Sequence, residues 1–311
     1  MGDWYVSSQA WAAVPQWAAS HAYVVGNVVR PLTAPAVGKA HVFRVTTAGT
    51  STTEPTWPTA NNATVTAGCT FTNVSGQSTY GWSAAAGDLY SISQGAGWNR
   101  PVVGDRVFLS SDHSESMTSA GSFIYSFNGG TSAFGLIQII SVNRGGSVPP
   151  GSGDILSGAA IVFTPTSLGI MGLDPICDMF WQGITFTVTG AVTSNIYLAY
   201  TTNKSHYFKN CAFVLNSSAN GILIYTYAKV TFDNTTVSFG NAGQYIGTGT
   251  AAILDFVWIN TPSAIQGTTP TILFSVVASG QGDSITCRGV DLSAVTGTLV
   301  VPTGKIGRAH V

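Results

Sequence analysis

Two carboxylates, Asp233 and Asp255, have the clearest chemistry to offer. Each is the second residue of an eight-residue segment, "FDNTTVSF" from Phe232 and "LDFVWINT" from Leu254. If the two segments lie on neighbouring strands, the carboxyl groups stand about 5 Å apart, the separation of a retaining glycosidase pair. The same column also reads as plain structure. With Lys209 beside Asp233 and Asp255 beside Arg288, it becomes a ladder of cross-strand ion pairs on a solvated face. The ladder is the reading the column favours, and no catalytic residue is assigned.

Other reactive side chains are scattered. "DHSE" (Asp112 to Glu115) crowds three acid/base or ligand types together, but a metal site needs several converging ligands and no second His or Cys cluster lies near it. It reads as a solvated turn. No GxSxG is present, and His21, His41, His113, His206 and His310 show no triad spacing. No glycine-rich phosphate motif appears either, so no cofactor and no metal are expected. Cys69, Cys177, Cys211 and Cys287 are widely spaced without a CxxC, which predicts buried free thiols.

The aromatic residues near the N-terminus say more. Trp11, Trp17, Tyr23 and Trp57 sit among residues too polar to bury them all, and an exposed flat ring stacks on a sugar face. Trp17, Tyr23 and Trp57 are the candidate carbohydrate contacts; the competing role for each is the core of its own small unit.

These residues must be positioned by strands. Residues 1–76 contain short strand-like runs separated by Gly, Pro and Asn turns, which predicts a small β module, and residues 77–153 read as a connecting β region. From 154 to 305 the chain is periodic. "WQGITFTV" (from Trp181), "FKNCAFVL" (from Phe208), "FDNTTVSF", "LDFVWINT" and "CRGVDLSA" (from Cys287) align without gaps, their starts 27, 24, 22 and 33 residues apart. The first column (Trp181, Phe208, Phe232, Leu254, Cys287) and the sixth (Phe186, Phe213, Val237, Ile259, Leu292) are apolar, while the second (Gln182, Lys209, Asp233, Asp255, Arg288) is polar. Like stacked on like is the signature of a solenoid. The third column holds Asn210, Asn234, Gly183 and Gly289, residues that tolerate a left-handed turn. The expected class is all-β, a small N-terminal β module followed by a right-handed parallel β-helix, with an antiparallel sandwich as the alternative.

Composition narrows the partners. Charged residues are 8% of the 311, hydrophobic residues 45%, and the net charge is −1 with no Lys/Arg cluster, so neither nucleic acid nor membrane is an expected partner. The N-terminus lacks a signal-peptide pattern, and the longest apolar run, "AFGLIQIISV", is too short to span a bilayer. The final "IGRAHV" (residues 306–311) breaks from the preceding composition and coincides with a translated sequencing adapter, so it is expected to be an assembly artefact.

Three stretches carry a resemblance. "WAASHAYVVGNVV" (Trp17 to Val29), "FRVTTAGTSTTEPTWP" (Phe43 to Pro58) and "GCTFT" (Gly68 to Thr72) resemble the small chitin-binding-like carbohydrate-binding modules of tailed-bacteriophage virion proteins. That likeness covers about a quarter of the chain. The remainder, from "GDRVFLSSDHSE" onward, is similar at fold level to phage fibres, tailspikes and head-decoration proteins, which are typically trimers. The resemblance implies a virion surface protein made in the host cytoplasm, a homotrimer with phage capsid or tail proteins and a host surface glycan as partners; the chain departs from the sugar-cleaving tailspikes in showing no acidic catalytic cluster, so no enzymatic activity is expected. A polysaccharide depolymerase is the alternative.

Overall fold

The structure, a computed structural model, describes residues 2–33, 40–93, 101–119, 121–127, 135–174, 177–190, 194–199, 204–216, 221–226, 228–248, 254–276, 283–302 and 306–310. Strands dominate, and most of them are parallel. One long sheet has nine strands, running in order through Asp3–Val6, Arg106–Ser110, Leu136–Val142, Asp178–Gln182, His206–Lys209, Ala228–Asp233, Leu254–Thr261, Asp283–Val290 and Ile306–His310. A second sheet has six strands, beginning at Ser114–Ser119 and ending at Ile265–Gly267. A third has seven, from Phe123–Tyr125 to Thr298–Pro302.

Between Arg106 and Val276 the chain visits the first, second and third sheets in the same order six times among the described residues. Each strand therefore pairs with its equivalent one circuit away, an arrangement compatible with a β-helix. The parallel pairing rules out the antiparallel sandwich for this part of the chain. It also starts earlier than the composition indicates. Arg106–Ser110 and Leu136–Val142, placed in the connecting region by sequence, and Asp3–Val6, placed in the first module, all belong to the long sheet. Ile306–His310 pairs in parallel with the strand Asp283–Val290.

The apolar alternation explains why the three parallel sheets share a core. Strands such as Ile184–Val188 alternate buried and half-buried residues, so one side faces inward as the two-residue period requires. The core is unusually aromatic. Trp181, Phe208, Phe232 and Trp258 stack in register along the long sheet, with Phe186 and Phe213 on the second sheet closing over them.

The register corrects the sequence alignment at one segment. Phe232 lies opposite Trp258, not Leu254, and Trp258 lies opposite Cys287. Val237 lies opposite Ile265, not Ile259. A slip of four residues keeps every side chain on its original face, so hydrophobic alternation cannot detect it.

With that register the third column becomes Gly183, Asn210, Asn234, Asn260 and Gly289, and all five have positive φ (73°, 52°, 48°, 55° and 62°). This is the left-handed corner that takes the chain off the long sheet, and only Gly and Asn adopt it cheaply. Asn234 Nδ2 donates to Asn210 Oδ1 at 2.8 Å, tying adjacent corners together. Asn234→Ala is expected to cost about 1–2 kcal/mol from the backbone alone, and Asn234→Gly less. Denaturation midpoints check the order; equal loss in both variants would contradict the corner argument.

The N-terminal region builds its own small core. Val28–Val29, Phe43–Thr47, Thr70–Asn73 and Thr64–Thr66 form a four-stranded antiparallel sheet, with Ala22–Tyr23 paired to Gly49–Thr50. Two short helices, Ser8–Ala13 and Leu89–Ser93, depart from the all-strand expectation. The first is capped by Ser7, whose Oγ accepts from the Ala10 amide at 3.0 Å.

Candidate functional site

The carboxylate pair does not form. Asp233 lies opposite Ile259, while Asp255 lies opposite Lys229 on one side and Ser284 on the other. Four strand positions, about 13 Å at the usual rise, therefore separate the two columns. Asp233 is already engaged: Oδ2 accepts the Tyr207 hydroxyl at 2.7 Å and Oδ1 accepts Asn260 Nδ2 at 2.9 Å. Burial, then the hydrogen bond to Asp233, pushes the Tyr207 phenol up to about 12. The ladder's register holds only in part: Lys209 lies opposite Asp233 as expected. Arg288 faces Ile259 instead of Asp255, and Asp255 instead meets Lys229 at 4.0 Å, both side chains being largely exposed.

"DHSE" is not a solvated turn. Asp112 and Ser114 meet solvent, and Arg144 binds Asp112 at 2.8 Å. His113 and Glu115 are buried, 1% and 4% exposed. The Ser8 amide donates to His113 Nδ1 at 3.0 Å, which leaves the proton of the neutral ring on Nε2, 3.3 Å from Glu115 Oε2. Glu115 also accepts the Leu89 amide at 2.6 Å, the Tyr90 amide at 3.0 Å and the Tyr125 hydroxyl at 3.1 Å. Next to it, Asp88 accepts from the Ser91 amide at 2.5 Å and the Ala40 amide at 3.3 Å.

An imidazole against a carboxylate has the parts of an acid/base pair, but these groups are closed off from solvent. Their work is mechanical: they tie the N-terminal helix, the Ala40 segment and the Leu89–Ser93 helix to the second sheet. Sequence reading missed Asp88 and Tyr125. The "DLYS" run, an Asp three residues before Ser at the start of a helix, was the available signal for Asp88.

The cluster has a pH signature. Burial and then the Glu115 charge raise Asp88 to about 6, above its unfolded value of 3.8. The stability it contributes is present below about pH 4 and is lost as pH rises through about 6. Asp88→Asn therefore compares more favourably with the wild type at pH 7.5 than at pH 5, whatever its absolute effect. His206 works in the opposite sense. Burial lowers it to about 4, so its contribution is present above pH 6.5 and lost as pH falls through about 4. Melting both proteins at the two pH values checks the Asp88 sign; a difference that does not change with pH would contradict it.

All four cysteines are free and buried. Burial pushes Cys211 up to about 12 and Cys177 and Cys287 up to about 11. None is a thiolate at neutral pH, which leaves them without nucleophilic character. Among the described residues no group of three or more His, Cys, Asp or Glu is placed to hold a metal ion.

The three candidate sugar contacts separate. Trp17 is 3% exposed and Tyr23 5%, and both pack with Val29, Phe43, Val45 and Phe71 in the small core. A buried ring has no face to offer a sugar, so these two are corrected to core residues. Trp57 differs. It is half-buried, 4.3 Å from Phe43 and 5.3 Å from Phe71 between ring centroids. Its Nε1 donates to Glu54 Oε1 at 2.9 Å, and the same oxygen accepts the Leu32 amide at 2.7 Å. Glu54 thus fixes the indole beside Leu32, which is 51% exposed. Trp11 is half-buried as well, with the Arg30 guanidinium 4.7 Å from its ring centroid.

Comparison of the chain with protein-family models, with curated proteins and with solved structures finds no match.

Proposed function

We propose that this chain is a non-enzymatic surface protein of a tailed-bacteriophage virion, a trimeric right-handed parallel β-helix whose N-terminal module holds glycan weakly. Several features support the reading. Six circuits of parallel strands make a stiff, repetitive shaft, and right-handed crossovers are the rule for parallel strands in one sheet. The sequence of the first module resembles phage carbohydrate-binding modules. Its partners on this reading are two further copies of itself, capsid or tail proteins of the particle, and a host surface glycan. Weak single contacts become useful when three modules per trimer act together.

The observation that carries the glycan part is Trp57, the one nominated ring that keeps exposed surface and is held in place by Glu54. The depolymerase alternative loses its proposed residues, because Asp233 and Asp255 do not face each other. Binding to immobilised bacterial polysaccharide tests the reading. Trp57→Ala is expected to weaken it about tenfold, or about 1.4 kcal/mol. Unchanged binding in a folded variant would remove Trp57 from the account, and new reducing ends released by the wild type would overturn the non-enzymatic reading.

A further inference from the structure

A second place for a sugar lies where the small module meets the long sheet. Asn61, Asn62, Gln77, Ser78 and Thr79, together with Asp3, Trp4 and Asp105, line a cavity of about 220 Å³. One of the two carboxylates is paired with a cation and the other with neutral donors. Arg106 holds Asp3 through two bonds of 2.8 and 3.0 Å. Asp105 accepts from the Gly2 amide at 2.5 Å, Trp4 Nε1 at 3.1 Å and the Val102 amide at 3.0 Å. Arg106 is engaged by Asp3, only neutral donors meet Asp105 and no Lys or Arg lines the cavity, so it offers an anion no free cation.

Its amides and hydroxyls are in the opposite condition. Gln77 Nε2 points at three acceptors, Asn61 Oδ1 at 2.5 Å, Asn62 Oδ1 at 3.0 Å and the Asn73 carbonyl at 3.3 Å. That fixes the orientation of all three side-chain amides. Gln77 Oε1, the Nδ2 groups of Asn61 and Asn62, and the hydroxyls of Ser78 and Thr79 then have no partner among the described residues. Asn62 is set at φ +61°, so its amide is presented by a fixed turn. Oriented neutral donors and acceptors are what a ring bearing adjacent hydroxyls requires. The volume is below the roughly 300 Å³ at which drug-sized pockets begin, which suits a single ring.

We infer that this cavity binds one neutral pyranose unit of a glycan. The inference rests on the proposed glycan-binding function and adds to it a pocket distinct from the Trp57 loop.

Saturation-transfer NMR on the full chain, with methyl glucoside, methyl galactoside, methyl mannoside and N-acetylglucosamine as neutral probes and sialic acid as an anionic one, tests it. Asn62→Gly keeps the left-handed turn while removing the amide, and Thr79→Val removes an exposed hydroxyl without changing shape, so the pair is expected to leave the melting curve unaltered. At least one neutral probe should give a signal that falls fivefold or more in the double variant, and sialic acid should give none. An undiminished signal in the double variant, lost instead in Trp57→Ala, would overturn the cavity and leave the glycan reading standing. Absence of signal from every neutral probe in the wild type would overturn both, and a signal from sialic acid alone would overturn the neutral specificity.

Discussion

Phe208→Ala is expected to cost about 3–5 kcal/mol, the range for deleting a fully buried aromatic side chain. Phe208 is 0% exposed and touches rings on both neighbouring circuits, Trp181 at 6.1 Å and Phe186 at 5.9 Å on one and Phe232 at 5.5 Å on the other, as well as Phe213 of its own circuit at 5.1 Å between centroids. His206 stacks on it at 5.7 Å. When each circuit buries its apolar face only against its neighbours, a cavity in one circuit weakens the interfaces on both sides. Nothing further along the chain can compensate. Trp181 and Trp258 flank the site in the stack, so their fluorescence during denaturation reports it directly. Phe208→Leu keeps most of the volume and should cost markedly less. A loss below 1 kcal/mol in the alanine variant would mean that the aromatic stack does not hold the circuits together.

Glu115→Gln is expected to be nearly as damaging, on the order of 3–5 kcal/mol, although the two side chains have almost the same shape. Four donors converge on the carboxylate: two backbone amides, the Tyr125 hydroxyl and His113 Nε2–H. A glutamine supplies one acceptor oxygen and turns a donor toward the others, leaving buried N–H groups unmatched. A second effect distinguishes this from simple unfolding. Removing the Glu115 charge takes away part of what raises Asp88, so the loss of stability between pH 4 and 6 should shrink in the variant. Denaturation at several pH values measures both. A variant as stable as the wild type would contradict the role given to the buried cluster.

The sequence carried the all-β class and the parallel stacking through two signals, apolar columns and left-handed corner residues. It misplaced one segment because Leu254 and Trp258 are both apolar, and a shift of four residues preserves alternation. The sharper signal was the Asn-Thr pair. Asn234-Thr235 and Asn260-Thr261 mark the same corner, where Thr235 Oγ1 donates to the Phe208 carbonyl at 3.0 Å and the Thr235 amide donates to Thr261 Oγ1 at 3.3 Å. Aligned on it, the spacings become 27, 24, 26 and 29 residues, more even than before.

The candidate sites were less legible. Trp17 and Tyr23 share the aromatic character of Trp57, and type alone does not say which ring a four-stranded sheet will cover. His113 and Glu115 looked solvated because charged side chains usually are; their burial depends on Leu89, Tyr90 and Tyr125, whose arrival at that point is set by the fold. The amide cavity brings Trp4 against Asn61, Asn62 and Gln77, separated by more than fifty residues, and no local pattern announces it.

The central claim, a virion surface protein, is tested most directly by antibody labelling of this chain on intact phage particles viewed by electron microscopy. The account predicts label on the particle surface. Label over the head would place the chain there as a decoration or fibre, and label at the tail tip would make it a receptor-binding protein. Particles bearing no label, with the protein recovered only in the soluble fraction of the lysate, would contradict the account.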